Sequence, residues 1–191
     1  MDSGSIFQII ILIILLLLSA FFSSAETALT TVNRIRMRSL AEDGNSRAAR
    51  VLKVTDDSGK MLSAILIGNN IVNLSASSIA TSLALALWGS VGAGIATGIL
   101  TLLILIFGEI SPKTIAAINA EKISLSYCNI IYWLMKLLTP VIFILNKLSI
   151  AFLFLLRVDP NAKDKAMTEE ELRTIVDVGK ETGVIESEEH E

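Results

Sequence analysis

One short stretch of this sequence combines a carboxylate, a proline and a lysine at the end of an apolar segment of membrane length. Residues 91–107 carry no charge, and the sequence GEISPK (108–113) follows directly. Ionisable side chains are costly inside a bilayer and by default mark an ion or substrate path. Because Pro112 has no N–H, it also deprives the carbonyl of Gly108 of its partner in a regular α-helix. The stretch therefore predicts part of a cation site, unless Glu109 only reaches interfacial water at a helix end.

A second apolar segment supplies further oxygen ligands. It contains three asparagines within five residues, directly after Gly68. Asn69 and Asn73 share a helix face, Ser77 extends that face, and Asn70 lies one step round. Alternatively, such side chains form hydrogen bonds between helices, each of which stabilises membrane proteins by about 0.6 kcal/mol on average.

The first apolar segment carries a polar stripe in its second half. Its members recur at three- and four-residue spacing and so lie on one helix face: Ser19, Ser23, Glu26, Thr27 and Thr30. We take Ser23 as a candidate ligand. A secondary ion path would use Ser24, Glu26, Ser77 and Pro112. Alternatively, these hydroxyls bond back to their own helix, and Glu26 lies at the membrane surface.

Composition places the chain among integral membrane proteins. Of its 191 residues 52% are hydrophobic, the mean hydropathy is +0.64, and charge is concentrated in 34–60 and 157–191. The net charge of −3 derives largely from the acidic tail, so no nucleic-acid partner is expected. The lone Cys128 cannot form an internal disulfide, and His190 is the only histidine. Metal sites built on Cys or His are thereby excluded, which leaves hard oxygen ligands.

The pattern predicts an all-α membrane protein with three transmembrane helices, at about 6–30, 61–88 and 91–110. A very short turn at 89–92 joins the second and third. Seven basic residues in 33–60 mark that segment as cytoplasmic and place the N-terminus outside the plasma membrane. Short amphipathic helices are expected within it, at the inner surface.

Residues 123–156 are predicted to form a juxtamembrane, re-entrant helical hairpin. As one helix they would extend about 51 Å, too long for one crossing. Pro140 divides them, and both flanks are basic, so both ends should be cytoplasmic. The transmembrane domain then covers 1–158. Residues 159–191, with a capping box at 168–171, are expected to begin a truncated, acidic, cytoplasmic helical region.

Gly94 and Gly98 have the GxxxG spacing of closely packed membrane helices. A unit of three helices would leave this stripe and its polar faces poorly covered. We therefore expect a homodimer within the lipid bilayer.

In order along the chain, four motifs resemble the CorC/CNNM family of magnesium transporters. They are residues 19–29 (SAFFSSAETAL), 68–73 (GNNIVN), 107–114 (FGEISPKT) and 168–172 (TEEEL). The resemblance implies a three-span membrane domain with a juxtamembrane belt, a dimer, and magnesium export coupled to sodium influx. It also implies a following pair of ATP-binding CBS modules, which this sequence lacks.

The predicted function is transport of Mg²⁺, bound largely without water between the three helices, with Na⁺ as a competing or coupled ion. The expected ligands are Ser23, Asn69, Asn70, Asn73, Gly108 and Glu109. One alternative is a membrane-anchored cation sensor that signals to a cytoplasmic domain without transport. An intramembrane enzyme is disfavoured, because no catalytic Ser–Lys or paired-Asp arrangement is evident in the sequence.

Overall fold

The protein is described from a computed structural model that covers residues 3–156, apart from the side chains of Ser3, Ser90 and Val91. This part is helical and contains no strand, which confirms the predicted all-α class. It divides into two units, one ending at Phe143 and one beginning at Ile144. The predicted acidic region 159–191 lies outside the described residues.

Three long helices, α1, α4 and α5, form the part that carries the candidate site. Helix α1 covers Ser3–Thr31. Residues Ser58–Leu103 are helical except at Gly89, whose backbone angles of φ 72° and ψ −163° break the helix into two. This conformation is available essentially only to glycine. The turn separates α4 (Ser58–Gly89) from α5 (Gly92–Ile118), where the sequence predicted a tight connection.

Contacts from α1 fix the direction of its two neighbours. Ser19 of α1 meets Asn69 of α4, and Phe22 lies against Gly68, so α1 and α4 are antiparallel. Ser19 also lies against Gly108, and Glu26 pairs with Lys113, so α1 and α5 are parallel.

Two short helices follow α1, as expected for the basic segment. Helix α2 covers Arg34–Glu42 and α3 covers Ser46–Asp56. The side chains of Asn33 and Asn45 cap them by accepting hydrogen bonds from backbone N–H groups of the first turn, at 3.0–3.2 Å. We refer to this side of the molecule as the α2/α3 end.

The buried core lies at the α2/α3 end. It joins Leu29 of α1, Met37 of α2, Val51 of α3, Ile65 of α4 and Ile131 of a further long helix, α6 (Ala120–Leu155). The first half of α1, in contrast, exposes most of its large apolar side chains, such as Phe7 at 64%. Side chains left uncovered in this way suit contact with lipid.

The hairpin predicted for residues 123–156 is wrong. These residues belong to helix α6 (Ala120–Leu155), and Pro140 lies inside it. Proline removes a single backbone hydrogen bond, and long apolar helices of membrane proteins tolerate that loss. Within the described residues four helices, α6 included, are therefore long and apolar enough to cross a membrane, where the sequence predicted three.

Candidate cation site

Ser19 is the point at which α1, α4 and α5 meet. Its hydroxyl donates a long hydrogen bond of 3.4 Å to Oδ1 of Asn69. A Cβ atom added to Gly108 would lie 2.9 Å from the same hydroxyl, so only glycine permits this approach of α5. Gly68 has the same role on α4, since a Cβ there would lie 2.5 Å from the ring of Phe22. The two glycines of the sequence motifs thus serve close packing around α1.

Two of the predicted ligand atoms are buried without a partner. The Oγ atom of Ser23 and the Oδ1 atom of Asn73 make no hydrogen bond among the described residues. Leaving such a group unsatisfied costs about 1–3 kcal/mol, which a bound cation would recover. These two oxygens are the strongest indication of an ion path in the molecule.

The two unpartnered oxygens lie on opposite sides of the Ser19–Asn69 contact. Ser23 is one turn nearer the α2/α3 end, whereas Asn73 is one turn farther from it because α4 is antiparallel to α1. At 1.5 Å per residue their separation along the helices is about 12 Å. One octahedral Mg²⁺ shell, with a radius of about 2.1 Å, cannot include both in this conformation. The polar groups therefore follow a path along the helices.

Three other hydroxyls of α1 are already satisfied. Ser24 donates to the carbonyl of Ala20 at 2.7 Å, and Thr30 donates to that of Glu26 at 2.8 Å. Thr27 bonds its own helix in the same way. The alternative interpretation of the stripe thus holds for Thr27 and Thr30. Ser24, which lies outside the stripe and was predicted for a secondary ion path, also bonds its own helix.

Glu109 pairs with Lys113 of its own helix, and Lys113 also pairs with Glu26 of α1. The Lys113 ammonium lies 3.6 Å from Oε1 of Glu109 and 3.4 Å from Oε2 of Glu26. All three side chains are partly exposed, at 36%, 37% and 42% for Glu109, Lys113 and Glu26. Glu26 is consequently coupled to Glu109 through a single lysine.

The backbone around Glu109 is π-helical over Ile104–Ile110. The N–H of Ser111 bonds the carbonyl of Ile106, five residues back. With this five-residue spacing, the carbonyl left without a partner by Pro112 is that of Phe107. The four-residue spacing of an α-helix would have left the carbonyl of Gly108 without a partner. Gly108, which is buried, remains a predicted backbone ligand.

Asn70 and Ser77 take no part in the meeting of the three helices around Ser19. Asn70 is exposed, on a different face of α4 from the buried Gly68. Ser77 is half-buried, and its backbone carbonyl accepts a hydrogen bond from Thr81 at 2.8 Å. Ligation by either residue remains a prediction.

Sequence reasoning gave too little weight to Ser19 and Lys113. Ser19 was recognised only as a member of the stripe, although its four-residue spacing from Ser23 was visible. Lys113 follows Glu109 at i,i+4, which is the spacing of a helical ion pair. Its second partner on α1 could not be read from that spacing.

Oxygen atoms dominate the chemistry of this site. Among the described residues no three His, Cys, Asp or Glu side chains gather as a metal-binding group. A cation here would instead combine one carboxylate with hydroxyl, amide and backbone oxygens, a set that suits hard ions.

Comparison with known proteins identifies the family. The cyclin M (CNNM) transmembrane N-terminal domain matches residues 10–189. The chain belongs to the CNNM family. It is a multi-pass membrane protein, as its four membrane-length helices indicate.

Bacterial relatives support the same assignment. A UPF0053 protein of Haemophilus influenzae is 41% identical over 82% of this chain, and the UPF0053 inner membrane protein YfjD of Escherichia coli is 40% identical over 82%. The Polyamine export protein of Haemophilus influenzae is 28% identical over 88% of the chain. This chain spans only 37% of the length of the first two relatives and 42% of the third.

Proposed function

We propose that this CNNM-family chain is the membrane part of a transporter that moves Mg²⁺ between α1, α4 and α5. The observation that carries the proposal is that Ser23 and Asn73 have buried, unpartnered oxygens along the same helices that bring the ion-paired Glu109 into this region. Neutral oxygens would replace part of the hydration shell, and the carboxylate would supply compensating charge.

The proposal includes an orientation in the membrane and an exchange of Mg²⁺ for Na⁺. The α2/α3 end, with its basic residues, faces the cytoplasm, and the N-terminus lies outside the cell. Glu109 and Ser23 lie on the cytoplasmic side of Ser19, so Mg²⁺ enters from there. Na⁺ moving inward through the same oxygens would drive export.

A homodimer completes the proposal. Gly94 and Gly98 are exposed, and a Cβ atom at either would meet no described atom within 4 Å. Small residues in this arrangement allow a second copy to approach closely. Nucleotide-binding CBS modules remain an expectation from the family resemblance.

Titration calorimetry with Mg²⁺ on purified, folded variants tests the site. Glu109→Gln removes the only carboxylate ligand and should weaken binding roughly 10–100-fold, since hydrogen bonds to charged groups contribute about 1.5–3 kcal/mol. Ser23→Ala removes one neutral ligand and should weaken binding about 2–10-fold. Asn73→Ala should fall between them. Wild-type affinity in both Glu109→Gln and Asn73→Ala would overturn the site.

Flux into proteoliposomes separates transport from sensing. A transporter moves Mg²⁺ across the bilayer and loses that flux in Glu109→Gln. A cation sensor binds Mg²⁺ with the same dependence on Glu109 but produces no flux.

Polyamine export is a second candidate function. Two relatives, from Haemophilus influenzae and Escherichia coli, carry that name. In this chain an ammonium group lies between the carboxylates of Glu26 and Glu109. The ammonium groups of a polyamine could take that position. Spermidine flux that exceeds Mg²⁺ flux in the same proteoliposomes would favour this candidate.

A further inference from the structure

We propose that Lys113 is a tethered counter-cation, which occupies the Glu109 carboxylate and must be displaced before a cation binds there. The inference rests on the proposed function, since it assigns a role to a residue beside the proposed ligand. It makes Lys113 a positioning residue that sets the apparent affinity of the site.

The geometry around the ammonium group carries the inference. Nζ of Lys113 lies 3.6 Å from Glu109 on its own helix and 3.4 Å from Glu26 on α1. Both distances exceed the usual 2.7–2.9 Å of a tight charged hydrogen bond, so a bound cation could displace the ammonium group from Glu109. The three side chains are also partly exposed, so protein atoms do not enclose the ion pairs.

Glu26 gives the displaced lysine a place to remain. When a cation takes Glu109, the ammonium group keeps its contact with Glu26 and stays neutralised. Before binding, the three groups together carry one negative charge. Glu26 therefore acts on cation binding through Lys113, without itself contacting the ion.

This arrangement predicts non-additive effects of two substitutions. Lys113→Met should tighten Mg²⁺ binding about tenfold, because a competing and repelling charge is removed. Glu26→Gln should weaken binding, because Lys113 then pairs with Glu109 alone. In the Lys113→Met background, Glu26→Gln should have little effect, since its influence passes through the lysine.

The experiment is Mg²⁺ titration calorimetry on the chain in lipid nanodiscs, with wild type, both single variants and the double variant. Lys122→Met, at an exposed lysine on α6, is the matched control and should leave the affinity unchanged. Lys113→Arg keeps the charge and should remain close to wild type. If Lys113→Met does not fold, Lys113→Gln also removes the charge and should tighten Mg²⁺ binding. Weaker binding in Glu26→Gln then provides the second part of the test.

The outcomes separate this inference from the proposed function. If wild type binds Mg²⁺ and Glu109→Gln loses it, but Lys113→Met binds no more tightly, the inference alone is overturned. Equal weakening by Glu26→Gln in both backgrounds also overturns it, because Glu26 would then be a ligand. Binding that appears only in Lys113→Met supports it. If neither wild type nor Lys113→Met binds Mg²⁺, both proposals fail.

Discussion

Two glycines allow α4 and α5 to pack closely against the polar side chains of α1. Gly68 admits the ring of Phe22, and Gly108 admits the hydroxyl of Ser19. In each case a Cβ atom would lie at 2.9 Å or less from the neighbouring side chain, closer than real Cβ contacts. The polar residues of α1 can reach α4 and α5 because these positions have no side chain.

Gly108→Ala should therefore separate α1 from α5 and weaken both stability and Mg²⁺ binding. Overpacking of this kind typically costs about 1–3 kcal/mol. The measurement is the melting temperature in detergent together with calorimetry. Gly59→Ala is the control, since a Cβ there meets no described atom within 4 Å and the helix gains from alanine. An unchanged melting temperature and affinity in Gly108→Ala would show that the helices are not in this contact.

At the scale of the elements, the first half of α6 belongs to the buried layer at the α2/α3 end. Cys128 and Ile131 are fully buried in the core cluster. The ring of Tyr132 lies beneath Arg50 of α3, whose guanidinium carbon is 4.9 Å from the ring centroid. Phe21 of α1 packs on Tyr127 with ring centroids 4.6 Å apart. One face of α6 is thus fixed by protein contacts.

Adjacent isoleucines provide a test of this packing. Ile131→Ala should destabilise the protein by about 2–4 kcal/mol, because it leaves a cavity among buried side chains. Ile130→Ala, at a position that is 57% exposed, should change stability by no more than about 0.5 kcal/mol. Thermal unfolding in detergent measures both. Equal effects would mean that α6 does not pack on α3 through this face.

At the scale of the whole molecule, the proposed orientation in the membrane rests on the distribution of basic residues. Basic side chains concentrate on α2 and α3, which adjoin the start of α6 through the Arg36–Glu121 ion pair at 3.7 Å. Further basic residues follow α6 in the sequence, from Arg157 onward. From this pattern we expect both ends of α6 on the cytoplasmic side, although its length and apolarity would permit a crossing.

Single cysteines in a Cys128→Ala background test that orientation. Ser90→Cys, in the turn between α4 and α5, should react with a membrane-impermeant maleimide added outside. Leu156→Cys should react only after permeabilisation, as should Ser46→Cys on α3, which serves as the cytoplasmic control. Outside labelling at position 156 would show that α6 crosses the membrane.

The sequence alone determined the helices up to about residue 110 and the side-chain chemistry available to them. Composition and period are local properties, so the helices near 6–30, 61–88 and 91–110 were predicted, as were short helices within the basic segment 33–60. The glycine turn before α5 was equally predictable. Ser23, Asn73 and Glu109 were predicted as ligands because polar side chains are costly in apolar, membrane-length segments.

Only the tertiary structure decided which of these groups meet. The register between α1 and α4 places Ser19 opposite Asn69 and leaves Asn70 exposed, and no spacing within one helix contains that information. The pairing of Lys113 with Glu26 depends in the same way on the parallel packing of α1 and α5. The continuity of α6 through Pro140 was misjudged from sequence, because one missing hydrogen bond is outweighed by the remaining backbone bonds and by the packing of the whole helix.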